Sequence, residues 1–172
     1  AQFGNLVAYY NEHQPRDPEA LRWIGLAAAE YARWNRLSEQ FSFLVNEYYP
    51  DLLAVDPTQW RAHYESGRLF AEKYNQADAL REWNAALAIN PNAAEVHVGL
   101  GQLALDRFEI DAAGASAERA LEINPELLAA RHLKADIALA NFDPRGAAGA
   151  LTDALKLHPH DEATLGRLAA AY

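Results

Sequence analysis

Along most of this chain the core-type positions recur every three or four residues, and short polar turns interrupt the recurrence. Between Trp60 and Lys73 the rhythm falls on positions 60, 63, 67 and 70. Between Ala77 and Ile89 it falls on Ala79, Leu80, Trp83, Ala86 and Leu87. A three-to-four residue beat is the period of an amphipathic helix, so the stretch predicts two helices joined at Tyr74-Asn75-Gln76. Asn75 is placed to cap the second helix with its side-chain oxygen. Asp143 holds the same place further along and is followed by Pro144, whose missing N–H is harmless in a first turn.

The same phrase closes a helix four times: Leu52-Leu53-Ala54-Val55-Asp56-Pro57, Ala86-Leu87-Ala88-Ile89-Asn90-Pro91, Ala120-Leu121-Glu122-Ile123-Asn124-Pro125 and Ala154-Leu155-Lys156-Leu157-His158-Pro159. The prolines at 57, 91, 125 and 159 are each 34 residues apart. A proline disfavours helical geometry in the residue before it and so stops each second helix. A fixed period of this length marks a stack of supersecondary units, each burying its apolar face on its neighbours. Small residues return at the column of Gly67, Gly101, Ala135 and Ala169, and again at Ala86, Ala120 and Ala154. They predict close helix crossings. An aromatic column, Tyr74, Phe108 and Phe142, is expected to fill the corner between the two helices of each unit.

A 34-residue helix–turn–helix with small crossing residues, an inter-helix aromatic and a closing proline resembles the tetratricopeptide repeat family. The resemblance covers residues 57–172. It implies an all-α, right-handed superhelical solenoid of antiparallel helix pairs, whose first helices line a concave groove. Repeats are expected at 57–90, 91–124 and 125–158, with a partial one at 159–172. The chain departs from the family at His63, His97 and Arg131, where a bulky aromatic is usual, and at Gly146 and Gly149 inside a helix. Each helical glycine costs roughly 0.5–1 kcal/mol relative to alanine.

Residues 18–56 read as a degenerate helical repeat. Its first helix holds Leu21-Arg22-Trp23-Ile24-Gly25-Leu26-Ala27-Ala28 and is capped by Asp17. Its second, Phe41 to Val55, is stretched relative to the period, and Pro50 behind Tyr48-Tyr49 predicts a kink or break at Tyr49. Residues 1–17 are expected to be an irregular leader. At the other end, Glu162 to Tyr172 repeats a first helix with no second helix after it. That helix is expected to expose Leu165, Leu168 or Tyr172 and to support weak self-association. With Ala at position 1 and no methionine, the sequence is expected to be a piece of a longer protein.

Composition narrows the function. Over 172 residues, 51% hydrophobic content supplies a sizeable continuous core, although no single unit could bury enough alone. Polar columns interrupt every apolar run, so no membrane-spanning segment is expected, and nothing at the amino terminus resembles a signal peptide. No cysteine excludes disulfides and thiolate metal sites, and is compatible with both cytoplasm and periplasm. A net charge of −9 without a basic stripe argues against nucleic acid.

Candidate chemistry is sparse. Gly99-Leu100-Gly101-Gln102-Leu103-Ala104 matches a dinucleotide fingerprint, but that motif needs a preceding strand, and here it lies within a predicted helix. His158-Pro159-His160-Asp161-Glu162 gathers metal-capable side chains at a turn. The proline splays them, and His158 stands where Asn90 and Asn124 stand in sister units, which favours a turn role. His63 and His97 share one column and could meet between adjacent first helices. No catalytic, metal or cofactor site is expected.

The surface with functional promise is the groove that the resemblance implies. Its columns hold Arg61, Tyr64 and Arg68 in one repeat, Val98, Gln102 and Leu105 in the next, and His132, Asp136 and Leu139 in the third. The first set is expected to receive acidic groups, and Val98, Leu105 and Leu139 an apolar side chain. The family's clamp for chaperone tails uses Lys, Asn and Arg where this chain has Tyr64, Arg68, Gly99, Ala129 and Leu133, so that clamp is not expected. The expected function is a non-enzymatic interaction or scaffold module for a protein or peptide. The alternative is an accessory region of a larger enzyme, such as a peptidase or transferase, with its catalytic domain elsewhere. A third reading is self-assembly through open ends.

Overall fold

The structure is a computed structural model that describes residues 9, 12–13, 16–35, 38–73 and 75–171. Among these residues every regular element is helical. They are α1 (Pro18–Asn35), α2 (Ser38–Phe43), a π-helical stretch π1 (Leu44–Tyr48), α3 (Tyr49–Val55), α4 (Trp60–Glu72) and α5 (Gln76–Ile89). After them come α6 (Ala94–Asp106), α7 (Ile110–Ile123), α8 (Leu128–Ala140), α9 (Pro144–Leu157) and α10 (Glu162–Ala171). The chain divides into two compact units, Ala1–Pro91 and Asn92–Tyr172.

The capping chemistry lies where the turn residues predicted. Asn75 Oδ1 accepts from the Asp78 N–H at 3.3 Å, and Asp143 Oδ1 from the Gly146 N–H at 2.8 Å. Asp17 accepts from the Glu19 N–H at 3.2 Å. Each long second helix stops one residue short of the pre-proline position. Asn90 and Asn124 are extended there, at φ −129°, ψ 92° and φ −134°, ψ 94°. His158 takes the same role at φ −131°, ψ 80°, and its carbonyl accepts from the Asp161 N–H at 3.2 Å.

The crossing columns hold in the complete repeats. Gly67 lies against the Trp83 ring, and a Cβ on Gly101 would stand 2.5 Å from Leu133 Cδ2 and 3.0 Å from Ser116 Cβ. Ala135 is fully buried. Ala169 is exposed. The buried stripe of α4 is Ala62, Ser66, Gly67 and Leu69. Positions 60, 63 and 70 are only half-buried, so the seam is rotated from the one the rhythm suggested.

The aromatic column does not fill a corner. Phe108 and Phe142 are 81% and 93% exposed, and their φ angles of 59° and 57° lie in the left-handed region. The cause is helix termination. Glu109 N–H bonds back to Ala104 O at 2.9 Å and Asp143 N–H to Ala138 O at 2.8 Å, and the residue between must turn left-handed to close them. Tyr74 and Tyr172 lie outside the described residues.

In the first unit, α1 lays Leu21, Ala28, Ala29 and Ala32 on Phe41, Leu44, Tyr48, Tyr49 and Leu52, with Ala62 and Leu69 of α4 joining the same core. Tyr48 Oη donates to the Leu21 carbonyl at 2.5 Å. The helix does not break at Tyr49. That residue's φ is −69° and its N–H reaches five residues back to Leu44 O. The extra residue of the π register makes room for Pro50, so the disruption lies before Tyr49 and stays helical. Of the stretch expected to be an irregular leader, Tyr9, Glu12 and His13 are helical, with His13 Nδ1 3.1 Å from the Tyr9 carbonyl; most of the remainder lies outside the described residues. In the second unit the last core cluster is Ala135, Ala147, Leu151 and Ala171, with Leu139 and Leu168 packed on it.

Candidate functional site

The first unit presents an aromatic and cationic ladder on α4. The helix buries Ala62, Ser66 and Leu69, which turns Arg61, Tyr64 and Arg68 toward other faces. The Arg61 guanidinium lies 4.4 Å over the Trp60 ring, and the Trp60 and Tyr64 rings are 6.4 Å apart. The Arg68 guanidinium follows at 5.8 Å from the Tyr64 ring. Trp83 fixes the ladder from behind, its Nε1–H donating to the Tyr64 carbonyl at 3.1 Å.

Arg68 is not open to a ligand in the way the sequence suggested. Its Nη1 donates to both Glu65 oxygens, at 3.1 and 3.3 Å. Burial pushes the Glu65 carboxyl above its ordinary range, opposed by Arg68 and by Arg33. Arg33 of α1 in turn donates from Nε to Glu72 at 2.8 Å and also pairs with Glu30. Arg61 is exposed, with no carboxylate in ion-pair range among the described residues. His63 is held by Glu82 of its own repeat at 2.8 Å, and that bond depresses the Glu82 carboxyl.

In the second unit the inner residues of α8 meet another helix. His132 Nε2 stands 2.6 Å from Thr164 Oγ1. The Thr164 hydroxyl and N–H both donate to Asp161 Oδ2 at 2.7 Å, so the hydroxyl accepts from His132, which assigns the imidazole proton to Nε2. Asp136 Oδ1 accepts from Arg167 Nε at 3.3 Å. Burial first, and then Arg167, hold the His132 pKa below its ordinary value, against Asp161 and Asp136. The two hydrogen bonds from Thr164 lower Asp161. His132, Asp136 and Leu139 therefore serve to dock α10. On α6, Gln102 is exposed and donates to Asp106 at 3.1 Å, while Val98 and Leu105 are half-buried.

A groove on α1 has no counterpart among the sequence expectations. Trp23, Leu26, Tyr31 and Trp34 line about 710 Å³ on this helix, and Trp34 is 89% exposed. The Arg22 guanidinium lies 4.2 Å over the Trp23 ring. The signal is present in the chain: these large residues share a helical face distinct from Leu21, Gly25, Ala28 and Ala32. The repeat pattern that absorbs Trp23 conceals it.

Among the described residues no cluster of three or more acidic or histidine side chains is arranged to hold a metal ion. No helix there is long and apolar enough to cross a membrane.

Solved structures with the same architecture are numerous. A thermophilic tetratricopeptide protein of Thermus thermophilus superposes over 98% of this chain and 88% of its own, with a TM-score of 0.77 at 20% identity. PilF of Pseudomonas aeruginosa matches 90% of this chain and 67% of its own, with a TM-score of 0.72 at 18% identity. A chain of the APC/C hetero-tetramer Cut9–Hcn1 matches 99% of this chain and 33% of its own, with a TM-score of 0.78 at 17% identity. No protein-family model and no curated protein matches the sequence. At these identities the likeness shows the fold, a tetratricopeptide-type helical solenoid.

Proposed function

We propose that this chain of tetratricopeptide-repeat fold is a non-enzymatic protein-interaction module that works through the first-helix face of its first unit. The observation that carries the reading is the Arg61–Trp60–Tyr64–Arg68 ladder. Trp, Tyr and Arg dominate binding energies at interfaces, and here cation–π contacts and a tilted ring pair hold them in place before a partner arrives. Such preorganisation lowers the entropy lost on binding. The Trp60 and Tyr64 rings offer apolar contact and Arg61 an unpaired guanidinium. A peptide or protein segment with an apolar side chain and a carboxylate matches that pair. Arg68 contributes by holding Tyr64, its Nη1 being already engaged by Glu65.

The test is capture of partners with the full-length protein, followed by titration of two sets of variants. Arg61→Ala combined with Tyr64→Ala is expected to weaken binding by about 2 kcal/mol or more with helicity unchanged. Arg81→Ala and Arg119→Ala, on second helices, are expected to leave it intact. Loss of binding in the second set alone would place the interface on the other face.

A further inference from the structure

The first unit carries a second groove that shares no residue with the α4 ladder. It measures about 430 Å³, and Phe41, Val45, Leu69 and Phe70 form its apolar lining. Three exposed polar side chains, Ser42, Asn46 and Lys73, also line it. Lys73 Nζ rests 4.1 Å over the Phe41 ring. In this acidic chain Arg33, Arg68 and Arg81 all have carboxylates. Lys73 has none in ion-pair range among the described residues, and an aromatic face covers only one side of an ammonium group.

The helix changes register at the same place. In an α-helical register the Val45 carbonyl would receive the Tyr49 N–H, but that N–H goes to Leu44 O. In a π register it would receive the N–H of residue 50, which is proline and has none. Val45, which lines the groove, thus lies where the helical ladder changes register, and π-helical insertions of this kind frequently mark functional positions.

An apolar lining and an ammonium with no carboxylate in ion-pair range among the described residues define one kind of occupant. The geometry points to an extended segment of a partner protein in which an apolar side chain stands next to Asp or Glu. The apolar side chain packs on the half-buried Val45 and Phe70, beside the edge of Phe41. The carboxylate meets Lys73. This groove and the α4 ladder have no residue in common, so either site can fail alone.

The probes are acetyl-Leu-Asp-amide, acetyl-Leu-Asn-amide and acetyl-Gly-Asp-amide, titrated at millimolar concentration into the nitrogen-15-labelled 172-residue chain. The Leu-Asp probe is expected to shift the amides of Phe41, Val45, Phe70 and Lys73 saturably. The Leu-Asn probe should bind about threefold more weakly, the scale of an exposed ion pair, and the Gly-Asp probe more weakly still. Lys73→Gln should make the Leu-Asp and Leu-Asn probes equal. Val45→Trp, which fills the groove, should abolish the shifts; if that variant misfolds, the Lys73→Gln comparison still decides. Equal affinity of the Leu-Asp and Leu-Asn probes for the unaltered chain would overturn the inference. So would shifts confined to Trp60–Tyr64, or no saturable shift at all.

Discussion

The two units solve the same packing problem with different side chains. The second sets its helices on alanine: Ala113, Ala117 and Ala120 on α7, Ala147 and Ala154 on α9, with Leu103, Leu133 and Leu151 as the larger buried residues. Its complete helices run 13 or 14 residues. The first unit instead drives Tyr48 and Tyr49 against α1, where a Cβ on Gly25 would stand 2.8 and 3.1 Å from their rings. A small residue on the first helix is common to both units; what it receives differs. Small partners keep the helical register and the sequence period. Two consecutive tyrosines followed by a proline are accompanied by a π insertion, and the repeat lengthens. Gly67 receives the Trp83 ring and its repeat still keeps the 34-residue period, so the lengthening goes with the tyrosine pair and its proline, not with residue size alone.

The sharpest way to break this comparison is to overfill a crossing in the regular unit. Gly101→Leu should destabilise the protein by roughly 1–3 kcal/mol, read from the urea midpoint, because Leu133 and Ser116 already occupy the space. An unchanged midpoint would mean that the crossing column does not set the packing.

Next in size is strain that the regular unit carries at its turns. Phe108 and Phe142 hold left-handed backbone with side chains in solvent, so replacing them with glycine removes strain at little loss of contact. The double variant Phe108→Gly with Phe142→Gly should gain about 0.5–1 kcal/mol per site in the same measurement, after allowing for glycine's greater freedom in the unfolded chain. Destabilisation would show that the rings have contacts worth more than the strain.

The adjacent tyrosines of the first unit give a finer test. The Tyr49 hydroxyl is buried with no hydrogen-bond partner, and burial pushes its pKa well above the ordinary value. Tyr48 donates to Leu21 O. Tyr49→Phe should therefore stabilise and Tyr48→Phe destabilise, each by about 1 kcal/mol. Equal signs would mean that the two hydroxyls are not distinguished by their partners.

The smallest effect is pH dependence in the second unit. His132 faces Asp161, Asp136 and Arg167, and its folded pKa lies below the ordinary value of about 6.5. The unfolded chain then binds the proton more tightly. The histidine's contribution to stability is complete above about pH 6.5 and is lost as the pH falls through the interval down to the folded value. The urea midpoint of the unaltered chain should drop more between pH 7.5 and 5.5 than that of His132→Gln. A parallel drop in both would assign the effect to other groups.

How much of this was legible depended on whether a local rule or a tertiary contact made the decision. Asn75, Asp143 and the closing prolines act on their own neighbours, and the helix ends followed them closely. Gly67 and Gly101 were legible because period alone places them at a crossing. The aromatic column was misread because a left-handed helix end is usually recognised by glycine, and phenylalanine there conceals it. For the candidate site, Arg61 and Tyr64 were named from position, but the pairing of Arg68 with Glu65 was not. Two residues three apart on a helix can pair, and which partner a guanidinium chooses depends on what buries the carboxylate. His132 and Asp136 were read as open because Thr164 and Arg167, which meet them, lie about thirty residues on in the chain.

The central claim is that partners dock on the first-helix face of the first unit. It is tested most directly by the indole N–H signals of the four tryptophans when a captured partner is titrated into the nitrogen-15-labelled protein. Trp60 stacks in the ladder, whereas Trp83 is buried with its N–H bonded to Tyr64 O. The expected result is a saturable shift at Trp60 and Arg61 Nε, with Arg81 Nε unmoved. Shifts at Arg81 and other second-helix residues, with Trp60 unchanged at saturation, would contradict it.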